Sequence, residues 1–499
     1  MFFKVKNGGR YSNETKSFAL SLYHLSGKSY KMVSKLFCLP SKLSILKWIS
    51  KMPNGAELTQ PSLDVITTKV QACSSTGKLC IILMDEISLK SHLFYDCSKD
   101  KVLGLEDLGD EITSHKLATS AIVLMARGII ENWKQPPACY LVNESCSSDI
   151  VKEKLTDAIT KLENIGLNVL GVGSDIGSNF QKFVREMGIT PENPWFIHNS
   201  KKILYIFDAP HIIKAIWNNL TNYNFHFDNK VASWNDVEAL YKIDIQNSIR
   251  CCPKLTNKHM HPNGFLKMKV KLATQVLSHS VAAALMMAIS GGLLPTSASG
   301  TAELVSHFDD IFDCLNSSTF STPKECNRPM TASSKHMQTM KEKLQFIKKI
   351  KVIDAAKNKD VTSSLKCVNA LQITLRSTME LWKTVQAVKN SKAAKIDSNV
   401  ASKEEKENSS VQPMLFHEIQ DVDYKSSTIE ENLISNNATC GYLLKRCLEK
   451  HSCQTCSSAL IKMNLIVPTN CYVISRPMKQ ADNHLEDLLC LMMPSYNTF

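Results

Sequence analysis

The chain has 499 residues, 43% of them hydrophobic, and 59 Lys and Arg side chains against 47 Asp and Glu, for a formal charge of +12. This length predicts about three domains with sizeable cores. The longest apolar stretch, residues 281–294, contains a serine and a glycine pair and is too short to span a bilayer, so we expect no association with a membrane.

The N-terminus and the cysteines indicate an intracellular protein. The first residues, Met1-Phe2-Phe3-Lys4, lack the apolar segment of a secretory signal. The 17 cysteines are scattered along a long chain, which favours reduced thiols over a disulfide framework.

The positive charge is concentrated near the N-terminus. The first 70 residues contain eleven Lys or Arg side chains and three Asp or Glu. Such a basic segment on a near-neutral body predicts a polyanionic partner, although a solvated surface that only aids solubility has the same composition.

Residues 11–52 have the pattern of a helix-turn-helix. Apolar side chains recur at helical spacing in three short stretches, and Leu39-Pro40-Ser41 forms a turn before the third. Lys42, Lys47 and Lys51 lie on or just after this third helix, where they are expected to contact DNA phosphates. The alternative is a small helical bundle whose lysines form a solvated face.

The sequence pattern of residues 71–220 predicts an α/β fold, with a mixed sheet and helices on both of its faces. The predicted strands lie at residues 79–84, 102–108, 121–126, 168–172 and 203–207, and the predicted helices at 148–165, 179–187 and 210–220. The first three strands read as an antiparallel meander, and the later strands alternate with helices.

The rest of the chain divides by composition. Residues 221–388 are predicted to be largely helical, with long periodic stretches at 265–288 and 301–315. Residues 389–437 are rich in Lys, Glu, Ser and Asn and predict a disordered linker. Residues 438–499 form a Cys-rich tail, in which Cys447, His451, Cys453 and Cys456 are either zinc ligands or free thiols.

Acidic residues follow several of the predicted strands. Asp85 and Asp175 come after the first and fourth strands, and Asp208 comes after the fifth. Carboxylates at neighbouring strand ends suit Mg²⁺ or Mn²⁺, which prefer oxygen ligands. Taken singly, each aspartate is more often a turn residue or a helix cap, and we assign Asp208 and the nearby His211 to supporting contacts.

Several segments together resemble the P element transposase family, which includes the THAP-domain-containing transposases of animals. The similar segments are "FALSLYHLSGKSYKMVSKLFCLPSKLSILKWIS", "IILMDEISLK", "GVGSDIGSNFQKF", "FDAPHIIKAIWNNL", "PKLTNKHMHPNGFLKMKVKLATQVLSHSVAAA", "FDDIFDCLNSS" and "CGYLLKRCLEKHSCQTC". The resemblance covers most of residues 11–385 in the family's order. It implies an N-terminal helix-turn-helix and an RNase H-like core interrupted by a mostly α-helical insertion domain, assigned here to residues 221–388.

The resemblance also implies an activity and its residues. The family cleaves transposon-end DNA and transfers strands through a two-metal site, for which Asp85 and Asp175 would be the catalytic metal ligands. GTP is the implied second cofactor, and the matching positions are Lys254, Lys269, Val270, Ser278, Phe312, Asp313 and Asn316. No P-loop motif is present in the sequence, so the expected GTP site is of another kind. We also expect self-association and a nuclear location.

The sequence departs from the family pattern in two places, and the second departure predicts impaired catalysis. No Cys pair of a zinc-binding THAP domain precedes Cys38. The family's third metal ligand is a Glu in a motif that should follow "LRSTMELWKTVQAV" at residues 375–388, but a Lys- and Ser-rich segment follows instead. Losing one of three carboxylates should weaken metal binding and misplace the nucleophile.

Three functions therefore remain open. The chain is a P element-like transposase of reduced activity, a non-catalytic DNA-binding or regulatory protein derived from one, or a guanine-nucleotide-binding module. DNA binding with a steep salt dependence but without cleavage would favour the second, and GTP binding without DNA affinity would favour the third.

Overall fold

The computed structural model describes residues 11–49, 58–96, 100–109, 114–316 and 322–397. These residues form two compact units, residues 11–49 and the described residues from 58 to 397. Each unit has its own hydrophobic core.

Within residues 11–49, the first unit contains the three predicted helices: α1 (Asn13–Leu25), α2 (Gly27–Leu36) and α3 (Lys42–Ile49). Ser26 begins α2 as its N-cap, since its hydroxyl oxygen accepts the backbone N–H of Ser29. The hydroxyl group of Tyr30 donates to the carbonyl oxygen of Pro40, which ties α2 to the turn before α3. The core of this unit consists of Ala19, Leu22, Tyr30, Val33, Leu39 and Ile45.

The second unit is built on a mixed sheet, which has six strands in the described residues. In chain order the strands of this region are β1 (Leu79–Ser88), β2 (Phe94–Asp96), β3 (Lys101–Leu103), β4 (Ser120–Gly128), β5 (Lys134–Val142), β6 (Asn168–Ser174), β7 (Trp195–His198) and β8 (Lys201–Phe207). The sheet order is β5-β4-β1-β6-β8-β7, in which β1, β6 and β8 are parallel and the other neighbours antiparallel. Strands β2 and β3 form a separate hairpin.

Both faces of the sheet are buried. The helices of this region are α4 (Gln60–Ala72), α5 (Ser148–Asn164), α6 (Ser178–Glu186) and α7 (Ala209–Leu220). Successive side chains of a strand point to opposite faces, and β1 shows the result. Cys80, Ile82 and Met84 join the larger core with α5 and α6, whereas Leu79 and Ile81 join a second core on the other face.

The predicted strand at residues 102–108 is wrong. Residues 101–103 form β3 of the separate hairpin, and the third strand of the meander is β5, which the sequence pattern does not indicate. Pro136 and Pro137 make this strand hard to predict from the sequence, because proline is rare inside sheets. β5 is an edge strand, where a missing N–H is tolerated.

The insertion after α7 contains a small sheet as well as helices. Its elements are β9 (Asn224–Phe227), β10 (Lys230–Ala232), α8 (Trp234–Asp244), α9 (Asn257–Met260), α10 (Gly264–Lys267), α11 (Val270–Val276), α12 (His279–Ser290), α13 (Ser299–Leu315), α14 (His336–Lys349), β11 (Lys351–Asp354) and β12 (Lys359–Asp360). The small sheet was not predicted. Its central pair joins β9 to β11, with Phe225 opposite Val352, so the entry and exit of the insertion lie side by side.

The periodic helical stretch predicted at residues 265–288 is divided into three helices, α10, α11 and α12. Among the described residues, the stretch Val270–Ser290 is long and apolar enough to cross a membrane by length and composition. Half of it is buried inside the protein, and bends at Leu277 and Ser278 separate α11 from α12. Both helices contribute side chains to the main core, as core helices do.

Helix α15 (Lys366–Asp397) returns the chain from the insertion to the sheet. Leu381 and Val385 on this helix pack in the second core. The linker predicted from residue 389 does not begin there, since the helix continues to Asp397. The remainder of that linker, and the whole Cys-rich tail, lie outside the described residues.

Side chains of α15 also form hydrogen bonds with backbone groups at the end of β8. Strand β7 pairs with β8 only as far as Leu204, which leaves the last residues of β8 without that neighbour. Thr374 Oγ1 accepts the backbone N–H of Phe207 at 2.9 Å, and Ser377 Oγ donates to the carbonyl oxygen of Tyr205 at 2.5 Å. These buried backbone groups therefore have partners, as buried groups require.

Replacing Thr374 with Val should lower the free energy of unfolding by about 1–3 kcal/mol, because the buried Phe207 N–H loses its acceptor. Urea denaturation of the purified protein measures this loss. Thr378→Val is the matched control, since the Thr378 hydroxyl donates to the Thr374 carbonyl within the same helix. Equal losses in the two variants would contradict the role assigned to Thr374.

Candidate active site

The pairing of β1 with β6 brings Asp85 beside Asp175. In this parallel pair Met84 lies opposite Ser174, and each aspartate is the next residue along the chain. Neighbouring strands lie about 4.8 Å apart, so the two backbones meet at the same carboxyl edge of the sheet. Asp85 still belongs to β1, which runs four residues beyond the predicted end at Met84.

Asp208 continues the same row onto a third parallel strand. Ser174 lies opposite Phe207, and the N–H of Asp208 donates to the Ser174 carbonyl oxygen at 2.8 Å. The buried Asp208 carboxylate caps α7, accepting the backbone N–H of His211 at 3.0 Å, and contacts His211 Nδ1 at 2.5 Å. Supporting contacts are the role expected of Asp208 and His211, and the strand pairing adds that Asp208 follows Phe207 as Asp175 follows Ser174.

Asp85 has a raised pKa at this edge. Its side chain reaches solvent, but protein atoms crowd around it. This loss of water is the main reason that its pKa rises to about 6, and the negative charge of Asp175 adds to the rise. A hydrogen bond from the Glu86 N–H and the nearby His211 oppose the shift.

The start of α6 holds Asp175 in place. Asp175 Oδ1 accepts the N–H of Gly177 at 2.8 Å, which closes a tight turn before the helix. A Cβ atom at Gly177 would lie 2.9 Å from this oxygen and 2.8 Å from Asn179 Oδ1, so a larger residue would have to displace these side chains. The adjacent Asn179 side chain donates to Glu86 Oε2 at 3.0 Å and links α6 to β1.

The donor set at this edge fits a hard divalent cation. Asp85 and Asp175 supply carboxylate oxygens, and the pKa of Asp85 is raised mainly by its loss of water and further by the negative charge of Asp175. Within the described residues, no three His, Cys, Asp or Glu side chains are grouped closely enough to hold a metal ion. Mg²⁺ commonly binds through one or two carboxylates and completes its shell with water and substrate phosphate, so two are enough for such a site.

The residues expected to contact GTP lie in the insertion. Ser278 is the N-cap of α12, and Phe312, Asp313 and Asn316 lie at the end of α13. Since α12 and α13 are consecutive helices that pack against each other, these positions lie at one end of a helical hairpin.

The remaining three positions are less closely grouped. Lys254 is exposed on a loop anchored to the same hairpin end, because Cys252 Sγ donates to the Ser280 carbonyl oxygen at 3.6 Å. Lys269 and Val270 begin α11. They precede Ser278 by one short helix, roughly 10 Å of rise.

Lys324 is a residue of this region that the sequence did not single out. Its Nζ atom lies 2.6 Å from a carboxylate oxygen of Asp313 and 2.6 Å from one of Asp309. Partial burial raises the pKa of Asp313, an effect that the hydrogen bond from Lys324 opposes. A guanine base at Asp313 would therefore share this carboxylate with a lysine.

The lysines predicted to contact DNA belong to the separate first unit. Lys42 and Lys47 are exposed on α3. The same helix exposes two apolar side chains, Leu43 and Leu46. Lys51 lies outside the described residues, as do Cys447, His451, Cys453 and Cys456.

Three family models match the chain in succession. Residues 1–48 match the helix-turn-helix domain of transposable element P transposase-like proteins. Residues 56–188 match the TNP-like RNase H N-terminal domain, and residues 210–329 match the TNP-like GTP-binding insertion domain.

Curated relatives and a solved structure agree with these models. Human DNA transposase THAP9 is 30% identical over 322 residues, which are 62% of this chain and 35% of the relative. The transposable element P transposase of Drosophila melanogaster is 27% identical over 335 residues, 65% of this chain and 42% of the relative. The Drosophila P element transposase strand transfer complex has the same fold, with a TM-score of 0.64, 23% identity and coverage of 77% of this chain and 83% of that one.

The mixed sheet and its edge of aspartates define an RNase H-like fold of the transposase class, a fold that implies use of a divalent metal. The chain belongs to the P element transposase-like family. It spans about 35–42% of the length of the curated relatives that it matches.

Replacing Asp85 with Asn should raise the melting temperature at pH 7.5 and raise it clearly less at pH 4.5. The folded protein holds the Asp85 proton more tightly than the unfolded chain, because the pKa rises from 3.8 to about 6 on folding. Its contribution to stability therefore falls as the pH increases between these values and stays unfavourable above them. Thermal unfolding measures the effect, with exposed Asp64→Asn as the control, and an equal gain at both pH values would contradict it.

Proposed function

We propose that this protein is a P element-like transposase, or a protein derived from one, whose core acts on DNA at the Asp85–Asp175 edge. The observation that carries the proposal is that Asp85 and Asp175 directly follow Met84 and Ser174, which lie opposite each other on adjacent parallel strands. The reaction class is cleavage of DNA phosphodiester bonds and strand transfer at transposon ends. Work on DNA also implies a nuclear location, and the family resemblance implies self-association.

The residues of the edge have separate roles in this proposal. Asp85 and Asp175 would hold Mg²⁺ or Mn²⁺, which when bound activates a nucleophile and stabilises the leaving oxygen. The turn at Gly177 orients Asp175, and the Asp208–His211 contact supports the strand end beside it. Asp85 must lose its proton to bind a cation, so metal affinity is expected to fall below about pH 6.

We further propose that cleavage by this chain is weak. The segment after residue 388 lacks the family motif that carries the third carboxylate, and α15 instead continues as a helix to Asp397. Two carboxylates can bind a cation, but a nucleophile held by an incomplete site is poorly positioned, and small misplacements slow catalysis strongly.

Mn²⁺ should raise the melting temperature of the wild-type protein and have little effect on Asp85→Asn or Asp175→Asn. Thermal unfolding and the electron paramagnetic resonance signal of free Mn²⁺ measure binding without relying on activity. Asp64→Asn is the charge-matched control. If both edge variants kept the Mn²⁺ response, the metal site would be contradicted. Strong Mn²⁺-dependent nicking of DNA that Asp85→Asn abolishes would contradict the proposal that cleavage is weak.

DNA is the proposed partner of the helix-turn-helix. Lys42 and Lys47 are exposed on its third helix, where they can neutralise phosphates. The exposed Leu43 and Leu46 beside them are suited to apolar contact with thymine methyl groups. This unit accounts for DNA affinity independently of cleavage, as expected for a regulatory derivative of a transposase.

We also propose that the insertion binds GTP at the end of the α12–α13 hairpin. The support is the match of residues 210–329 to the GTP-binding insertion domain and the position of Asp313 at this hairpin end. The Asp313 carboxylate is suited to accept the N1–H and N2–H groups of guanine. Lys254 and Lys269 are the proposed phosphate contacts.

Replacing Asp313 with Asn should weaken GTP binding by at least about tenfold, since a charged acceptor is lost. The same variant should gain affinity for xanthosine triphosphate, because an amide can accept from N1–H and donate to the 2-oxo group. Calorimetry measures both. Asp309→Asn is the matched control, as Asp309 contacts the same Lys324, and a similar change in both variants would contradict the assignment.

A further inference from the structure

A cavity of about 400 Å³ lies away from the aspartate edge. Its floor includes Leu170 and Leu204 of the sheet, and its walls come from β7, α14 and α15. Leu170 precedes Asp175 by five residues on the chain that forms β6, a separation of roughly 16 Å along a strand. The cavity is therefore distinct from the candidate metal site.

The polar lining of the cavity is mainly cationic. It contains Lys202, Lys341, Lys383 and Arg376 together with two carboxylates, Glu192 and Glu380. Lys383 pairs with Glu380 at 2.7 Å. Lys202 lies 4.1 Å from the ring centroid of Trp195, which is a cation–π contact.

Arg376 is the central residue of this lining. Its Nε atom is buried and donates to no acceptor in the described part of the chain. Among these residues, no carboxylate oxygen lies within 4.0 Å of the cationic groups of Arg376, Lys202 or Lys341. A buried donor without a partner is unfavourable, so an acceptor is expected to enter the cavity.

The chemistry of the lining selects the acceptor. A guanidinium group presents parallel N–H donors that match two oxygens of a phosphate, and lysines add compact positive charges. The apolar floor and the Trp195 ring suit the carbon skeleton attached to such a group. The cavity is large enough for a phosphate group and part of the sugar attached to it.

We propose that this cavity binds a phosphate group through Arg376, Lys341 and Lys202. The phosphate belongs either to a free nucleotide or polyphosphate or to the DNA backbone, and the two sources share the same contacts. The site would be additional to the metal edge and to the GTP site proposed in the insertion. It would give the RNase H-like core a phosphate contact on its α15 face.

The test is site-specific labelling of the full chain. Phenylglyoxal modifies accessible arginines, and mass spectrometry reports the modification of Arg376 itself. Inorganic pyrophosphate and a random-sequence DNA duplex are titrated in separate experiments. Because the readout is the Arg376 peptide, ligand binding at the proposed GTP site does not register.

We expect at least fivefold protection of Arg376 by one or both ligands. Lys341→Gln should raise the ligand concentration needed for half protection at least threefold, whereas Lys152→Gln, an exposed lysine on α5, should not change it. Protection by pyrophosphate assigns a free phosphate ligand, and protection by DNA alone assigns the backbone. Absence of protection by both, or equal midpoints in the two lysine variants, would overturn the proposal.

Discussion

Met84, Ser174 and Phe207 lie side by side on three parallel strands, and this register determines the candidate active site. Asp85 and Asp175 are neighbours because each follows a member of the row. Side chains alternate along a strand, so a slip of one residue would turn Asp85 to the opposite face. Burial of both faces opposes such a slip, since it would move an entire set of core side chains.

Helix α15 connects this register to the insertion. The helix covers the second face of the sheet, and Thr374 bonds the end of β8 directly before Asp208. The insertion separates β8 from α15 in sequence, yet the pairing of β9 with β11 returns the chain close to where it left. A long insertion is compatible with a fixed arrangement of the strand ends, because the entropic cost of closing a loop increases only slowly with loop length.

The electrostatics of the edge explain why it would need a cation. Crowding and the charge of Asp175 make ionisation of Asp85 unfavourable, and a phosphodiester brought near both carboxylates would be repelled. A divalent ion offsets both effects. The cationic side chains proposed to contact phosphate belong to α3 and to the lining of the α15 cavity, so the proposed phosphate contacts and the acidic edge are formed by different parts of the chain.

The sequence by itself determined the helix-turn-helix, the parallel strands around Asp85 and Asp175 and the family, because these depend on local periodicity and on motifs. It missed β5, whose two prolines are tolerated only because the strand lies at the edge, and it missed the small sheet, whose strands are short and pair across the whole insertion. Only the tertiary structure decided that Asp208 shares the row of Asp85 and Asp175 and that Lys324 binds Asp313. It also decided that Arg376 lines a cavity with its buried Nε atom lacking a partner among the described residues. Each of these depends on residues far apart in the chain, and local patterns carry no information about which distant side chains meet.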